Sequence, residues 1–292
     1  MPLEILAIIA PVFLCAAVGV VWARSGQAFE NGVITHLVMW VGAPCLIVGT
    51  LGKVDVSLHL LGDIAMAVIA LLLLSAAAAI LLCRLQGVPW RDHLPSLVFP
   101  NSGNMGLPLA LFAFGEQGLA VALTIFMIIA VAHFTLGVAI LSGDSPVGGA
   151  LRSPVVYAGL LSVALIAFDW RLPDWLQKTV SMLGGISIPL MLIALGVSLA
   201  QINRRYALKA VRLGALRLLL GFSVGWLVAE LLGLTGVVRG VLIIQSSMPV
   251  AVFNYLLAIR YRKSPEEVAG AVMISTLLSF ATLPALLWFV LP

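Results

Sequence analysis

Apolar residues fill this chain in long blocks separated by short polar turns, and the blocks predict helices of bilayer length. A membrane-spanning helix needs about 20 apolar residues, and on that ruler ten segments emerge. The first half gives roughly 3–22, 33–52, 62–83, 94–114 and 118–141, and the second roughly 154–169, 176–199, 208–231, 236–258 and 267–290. Connections are short. The longest, Ser142–Ser153, is rich in Gly, Ser and Pro, which predicts a linker between halves 1–141 and 154–292. The expected fold class is an all-α polytopic membrane protein.

One block is interrupted where the middle of a span should lie, at Pro100-Asn101-Ser102-Gly103-Asn104-Met105-Gly106-Leu107-Pro108. Prolines remove backbone donors and clash with the preceding turn, and glycines permit non-helical dihedrals. Backbone freed in this way cannot face lipid, so it must be buried in protein or line a wet cavity. Broken helices at membrane depth are the usual material of transporter binding sites.

The second half carries a matching set of signals at an offset of about 145–150 residues, weak singly but shared in order. Pro44 in the second segment corresponds to Pro189 in the seventh. The break in the fourth corresponds to Gln245-Ser246-Ser247-Met248-Pro249 in the ninth. Glu116 opens the segment after one break, and Glu266 and Glu267 open the segment after the other. Five spans per half force opposite topologies. The expectation is two inverted five-helix repeats, each with a broken fourth member.

Composition narrows the class. Of 292 residues, 62% are hydrophobic and 10% charged, with mean hydropathy +1.16, whereas soluble domains carry about 25% charged residues. The net charge of +4 does not suggest nucleic acid, because the basic residues lie in short loops. With the N-terminus outside, the inner loops hold Arg24, Arg84, Arg91, Arg152, Arg204, Arg205, Lys209, Arg212, Arg260, Arg262 and Lys263. The opposite loops hold only Lys53, Arg171, Lys178 and Arg239. That bias places both termini on the outer side. The start of the chain has no basic n-region, so residues 3–22 are expected to remain as the first span. Cys15, Cys45 and Cys83 fall inside spans without metal spacing and are expected to be small buried hydrophobes.

The stretch Phe99-Pro-Asn-Ser-Gly-Asn-Met-Gly-Leu-Pro-Leu-Ala-Leu-Phe-Ala-Phe-Gly115, with Ser246-Ser-Met-Pro-Val-Ala-Val-Phe-Asn-Tyr255, resembles the auxin efflux carrier family in its bacterial form, akin to malate and malonate permeases. The resemblance covers essentially the whole chain. It implies a fold like that of sodium/proton antiporters and bile-acid symporters, with crossing fourth and ninth helices. Segments 1, 2, 6 and 7 would form a scaffold, and segments 3–5 and 8–10 a transport domain moving as an elevator. It implies small organic anions as substrates and an inner-membrane location. It also allows a homodimer through the scaffold, of which the sequence itself carries no sign. The long central loop of plant members has no counterpart in the short 142–153 linker.

Asn101, Ser102 and Asn104 offer amide and hydroxyl groups at the break, and the half-helix that follows points its positive end at the same place, which suits a carboxylate. Gln245, Ser246, Ser247 and Asn254 are expected to face them from the other half. The bland reading is that these side chains satisfy backbone freed by the prolines; for Asn254 it is helix–helix hydrogen bonding. Pro100 and Pro249 are the expected crossing points, with Gly103, Gly106 and Pro108 shaping the first break. Arg217 lies about nine residues into its segment, roughly 13 Å along a helix, where it either attracts an anion or snorkels to the interface. His133, mid-span, is either a proton-coupling group or a helix–helix partner, while His36, His59 and His93 near span ends are expected to be solvated. No cofactor or metal site is expected, with sodium or proton coupling left open.

Rival classes find less support. Ser102 and His133 could be cast as an intramembrane serine protease dyad, but no Gly-x-Ser-x-Gly signature is present. A passive channel would want a symmetric filter or charged ring. The serious alternative is a sodium-coupled symporter of the bile-acid type, holding its ion with side-chain oxygens and unwound carbonyls at the same crossing.

Overall fold

The computed structural model describes residues 2–52, 57–142, 154–201 and 207–291. The linker after Ser142, together with Lys53, Arg152, Arg204 and Arg205, lies outside the described residues, as does the side chain of Lys209. The described chain is helical, and its one β-type pairing is an isolated antiparallel bridge between Pro100 and Val250.

Helix α1 (Pro2–Arg24) is followed by α2 (Asn31–Leu37), a π-turn over Val38–Gly42 and α3 (Ala43–Leu51). The π-turn directly precedes Pro44, whose ring cannot accept a normal α-turn against the carbonyl four residues back. Next come α4 (Leu58–Leu85) and α5 (Trp90–Val98). After the break, a π-turn over Ser102–Gly106 opens α6 (Leu107–Ala132), and another over His133–Gly137 leads to α7 (Val138–Ser142). The second half contains α8 (Pro154–Ala167), α9 (Asp174–Gly185), α10 (Ser187–Gln201), α11 (Ala207–Leu231), α12 (Gly236–Ser246), α13 (Val252–Tyr261) and α14 (Pro265–Val290).

Among the described residues seven helical stretches are long and apolar enough to cross a membrane, and α8 and α12 are shorter apolar helices. Large apolar side chains such as Leu14, Leu73, Met182, Leu219 and Trp288 stay exposed on the outside, where hydrocarbon is the natural solvent. The molecule is an all-helical polytopic membrane protein. The longest stretch, Ser102–Ser142, has 41 residues, about twice the length a span requires. It turns at Gly115, whose φ of +64° and ψ of −154° are outside the helical range and open only to glycine at little strain. That turn falls between the fourth and fifth apolar blocks of the sequence.

Small residues set the closest helix approaches, as expected where lipid offers no hydrophobic drive for association. A β-carbon at Gly19 would overlap Ile193 O, and one at Gly196 would overlap Ala16 O, so α1 and α10 meet backbone to backbone. Gly184 lets α9 approach the backbone of Leu46 on α3, and Gln177 Nε2 donates to Gly49 O at 2.8 Å beside it. In the other group of helices, Gly221 and Gly225 bring α11 against Ser246 at the end of α12, and Gly214 brings it to Ser275 on α14.

The expectation that His93 is solvated is corrected. Its residue is only 8% exposed, with Nδ1 against Pro89 O at 3.0 Å and Nε2 against Glu267 Oε2 at 2.8 Å. Lys263 Nζ lies 3.6 Å from Asp92 Oδ1, and Ser264 Oγ donates to Asp92 Oδ2 at 3.3 Å. These contacts fasten the start of α5 to the turn between α13 and α14, which linear distance in the sequence could not reveal.

Candidate functional site

Helix α5 ends at Val98 and Phe99 is already extended, with φ −92° and ψ 108°. Pro100 has no N–H and so leaves Ser96 O without its helical donor; Pro249 does the same to Gln245 O. Asn101 N–H turns away from its own helix and donates to Pro249 O at 2.8 Å, while Ala251 N–H donates to Phe99 O at 3.4 Å. The two breaks therefore cross as a one-rung antiparallel ladder between segments that are far apart in the chain. Residues 241–250 and Pro100 to Ser102 are all buried.

Every backbone group diverted into this crossing abandons a helical partner, and the replacements can be followed one by one. Leu97 O loses Asn101 N–H, and Ser246 O loses Val250 N–H, which donates instead to Ser275 Oγ at 3.0 Å. Both orphaned carbonyls are taken by one side chain. Arg217, 1% exposed, donates from Nη1 to Leu97 O at 2.6 Å, from Nε to Met248 O at 3.2 Å, and from Nη2 to Ser246 O. The guanidinium thus sits at the negative C-terminal ends of α5 and α12 together. It neither snorkels to an interface nor points into an open cavity.

Asn254 performs a similar service on the other flank. Its Nδ2 donates to Pro95 O at 3.1 Å and Phe99 O at 3.3 Å, which leaves Oδ1 to accept from His133 Nε2–H at 2.8 Å. That partner calls for a proton on Nε2 of the His133 ring. The imidazole also stacks on Phe99, with centroids 4.4 Å apart and planes 9° from parallel. No hydrogen bond joins Ser102 to His133 among the described residues.

Other polar groups at the crossing have no such partner. Asn101 Nδ2, both amide atoms of Gln245, and Ser247 Oγ are buried without a hydrogen bond among the described residues. Gln245 is 0% exposed and lies against Gly106, where any β-carbon would overlap its amide; Gly103 is looser, with the Phe126 ring 3.1 Å from the corresponding position. A buried polar atom left unbonded costs about 1–3 kcal/mol, and both breaks contribute such atoms. Ser246 is turned elsewhere, donating to Ile243 O at 3.0 Å and facing Gly225 of α11. Ser102 and Pro108 are buried in the first break, and Asn104 is half-buried.

Asn104 lines a cavity of about 50 Å³ with Thr35, Val38, Met191, Ser198 and Phe253. A second cavity, of about 350 Å³, is lined by Cys45, Thr50, Phe112, Glu116, Ser181 and Pro189. The two lie at different depths along the same helices, since Thr35 and Leu46 are separated by roughly 16 Å of helix. Between them Gly42 is packed on the Ser187 side chain. Among the described residues no group of three or more His, Cys, Asp and Glu side chains could hold a metal. Thr35, Ser198 and Ser275 carry no sequence signal of their own; only their neighbours in space mark them.

Residues 143–288, half of the chain, match the membrane transport protein family. The chain is 29% identical to an uncharacterized transporter of Methanocaldococcus jannaschii, over 64% of each chain. It is 27% identical to an uncharacterized transporter of Methanothermobacter thermautotrophicus over 89% of each. It is also 27% identical to a putative malonate transporter of Rhizobium meliloti, over 66% of this chain and 64% of that one. The match to the first and third of these relatives thus spans just under two thirds of their length.

Proposed function

This chain belongs to the membrane transport protein family, that of the auxin efflux carriers, and on that premise we propose that it is a secondary carrier of small carboxylates. The observation that carries the reading is the set of unpartnered amide and hydroxyl atoms that Asn101, Gln245 and Ser247 contribute from both breaks. A carboxylate accepts several hydrogen bonds at once, and the half-helices starting after the breaks turn their N-terminal, positive ends toward the crossing. Asn104, Ser102 and the backbone around Pro249 complete the proposed site. The relative named as a putative malonate transporter favours a dicarboxylate among the candidates.

The same proposal includes the architecture. The two-residue-deep crossing at Pro100 and Pro249, the turn at Gly115 and the short helices α8 and α12 support ten spans arranged as two inverted repeats. Helices α1, α3, α8, α9 and α10 pack together and support a scaffold, with the crossing carried by the other group. Two cavities at different depths, separated by the Gly42–Ser187 contact, suit alternating access by an elevator motion. The basic loops favour an inner-membrane protein with both termini outside.

The test is uptake of radiolabelled malonate, malate and monocarboxylates into proteoliposomes by wild type, Asn101→Ala and Asn104→Ala. A hydrogen bond to a charged group is worth about 1.5–3 kcal/mol, so each variant loses at least about tenfold in apparent affinity. Both variants remain folded by size-exclusion chromatography. Wild-type uptake in either one removes that asparagine from the site, and no uptake of any carboxylate by wild type removes the substrate class.

A further inference from the structure

We propose that Arg217 is the resident cation of the crossing, filling a main-chain oxygen site that would otherwise suit a coupling ion, so that the protein works without alkali cations there. The inference rests on the carrier reading for its meaning and on the geometry of α11, α5 and α12 for its substance.

Leu97 O, Ser246 O and Met248 O converge on one guanidinium from two half-helix ends. Main-chain carbonyls are the ligands that replace the hydration shell of a hard monovalent ion in a membrane protein. They are also where two helix dipoles present their negative ends, so this spot attracts positive charge whatever supplies it. In this chain the charge is covalent. Arg217 is 1% exposed, no carboxylate pairs with it among the described residues, and its three distinct nitrogens each meet a different carbonyl. Gly221, one turn along α11, provides the room, because a β-carbon there would overlap Ser246 O and come within 3.1 Å of Arg217 Nη2. The side chain is therefore a positioning residue: it holds the ends of both broken helices in register through main-chain carbonyls and, among the described residues, makes no hydrogen bond to the side chains of Asn101, Gln245 or Ser247.

The experiment uses the purified full chain without any carboxylate, so it stands apart from whether malonate or a relative is carried. Thermal stability is measured in sodium, potassium and N-methylglucamine chloride at equal ionic strength, for wild type, Arg217→Ala and Arg217→Lys. Wild type gives the same apparent Tm in all three salts. Arg217→Ala gives a lower Tm, most of which returns with sodium, potassium or millimolar guanidinium but not with N-methylglucamine. Arg217→Lys, keeping the charge on a compact head, falls between the two. Sodium stabilisation of wild type, a wild-type Tm in Arg217→Ala, or a folded Arg217→Ala that no small cation restores each overturns the proposal. If Arg217→Ala yields no folded protein, the lysine variant decides: a folded, salt-indifferent Arg217→Lys supports the cation role, and its failure to fold overturns the proposal by assigning the effect to guanidinium shape alone.

Discussion

The His133–Asn254 contact offers the sharpest energetic test of the crossing. Asn254→Ala removes three hydrogen bonds, from His133 Nε2 at 2.8 Å and to Pro95 O and Phe99 O at 3.1 and 3.3 Å. Polar pairs inside membrane proteins average about 0.6 kcal/mol each, which gives about 2 kcal/mol for the three. Asn254 is 2% exposed and His133 5%, so the ring N–H is left buried without an acceptor, at a further cost of about 1–3 kcal/mol. The expected total is about 3–5 kcal/mol. His133→Leu breaks only the first bond, loses the Phe99 stack and leaves Asn254 Oδ1 buried without its donor, costing about 2–5 kcal/mol.

The assay is a double-mutant cycle by denaturant unfolding in one detergent, with uptake measured alongside. Because the two side chains touch directly, the double variant is less destabilised than the sum of the singles by about 1 kcal/mol. Additivity within about 0.3 kcal/mol would falsify the claim that these groups form one buried unit. The same set separates two roles for Asn254. A structural strut loses stability and uptake together, whereas a substrate ligand raises KM in variants that retain their stability.

Two further variants examine the close approaches. Gly106→Ala sets a methyl into the Gln245 amide, costing about 1–3 kcal/mol by overpacking, and Gln245→Ala in the same chain recovers most of that loss in unfolding measurements. Gly196→Val drives a branched side chain into Ala16 O, a backbone atom that cannot rotate away, so α1 and α10 separate and stability falls by at least about 1–3 kcal/mol. Gly185→Ala, with nothing near its β-position, is the control and stays within about 0.5 kcal/mol of wild type.

Much of this molecule was legible in one dimension. Apolar blocks of bilayer length have little choice but helix, since hydrocarbon leaves every backbone amide to find its partner within the segment. The breaks were legible for the converse reason: Pro100, Pro108 and Pro249 lack the donors a continuous helix requires, and the surrounding Asn, Ser and Gly residues are what a chain uses when it must stop being helical. The turn at Gly115 fell between two apolar blocks, and the family resemblance read from residues 99–115 and 246–255 agrees with the match over residues 143–288.

What the sequence by itself determined is which backbone groups would be orphaned; what the tertiary structure decided is who adopts them. Arg217 was legible as a charge out of place, with nothing to say whether it faced anion, lipid headgroup or protein. It is settled by Leu97 O, 120 residues away. Asn254 finds Pro95 O across 159 residues and His133 across 121, and His93 finds Glu267 across 174. Hydrophobicity and proline act through their own neighbourhood, so they can be read along the chain. A hydrogen bond is short and directional, and which donor meets which acceptor is fixed only when packing has brought distant segments to within 3 Å or so of one another.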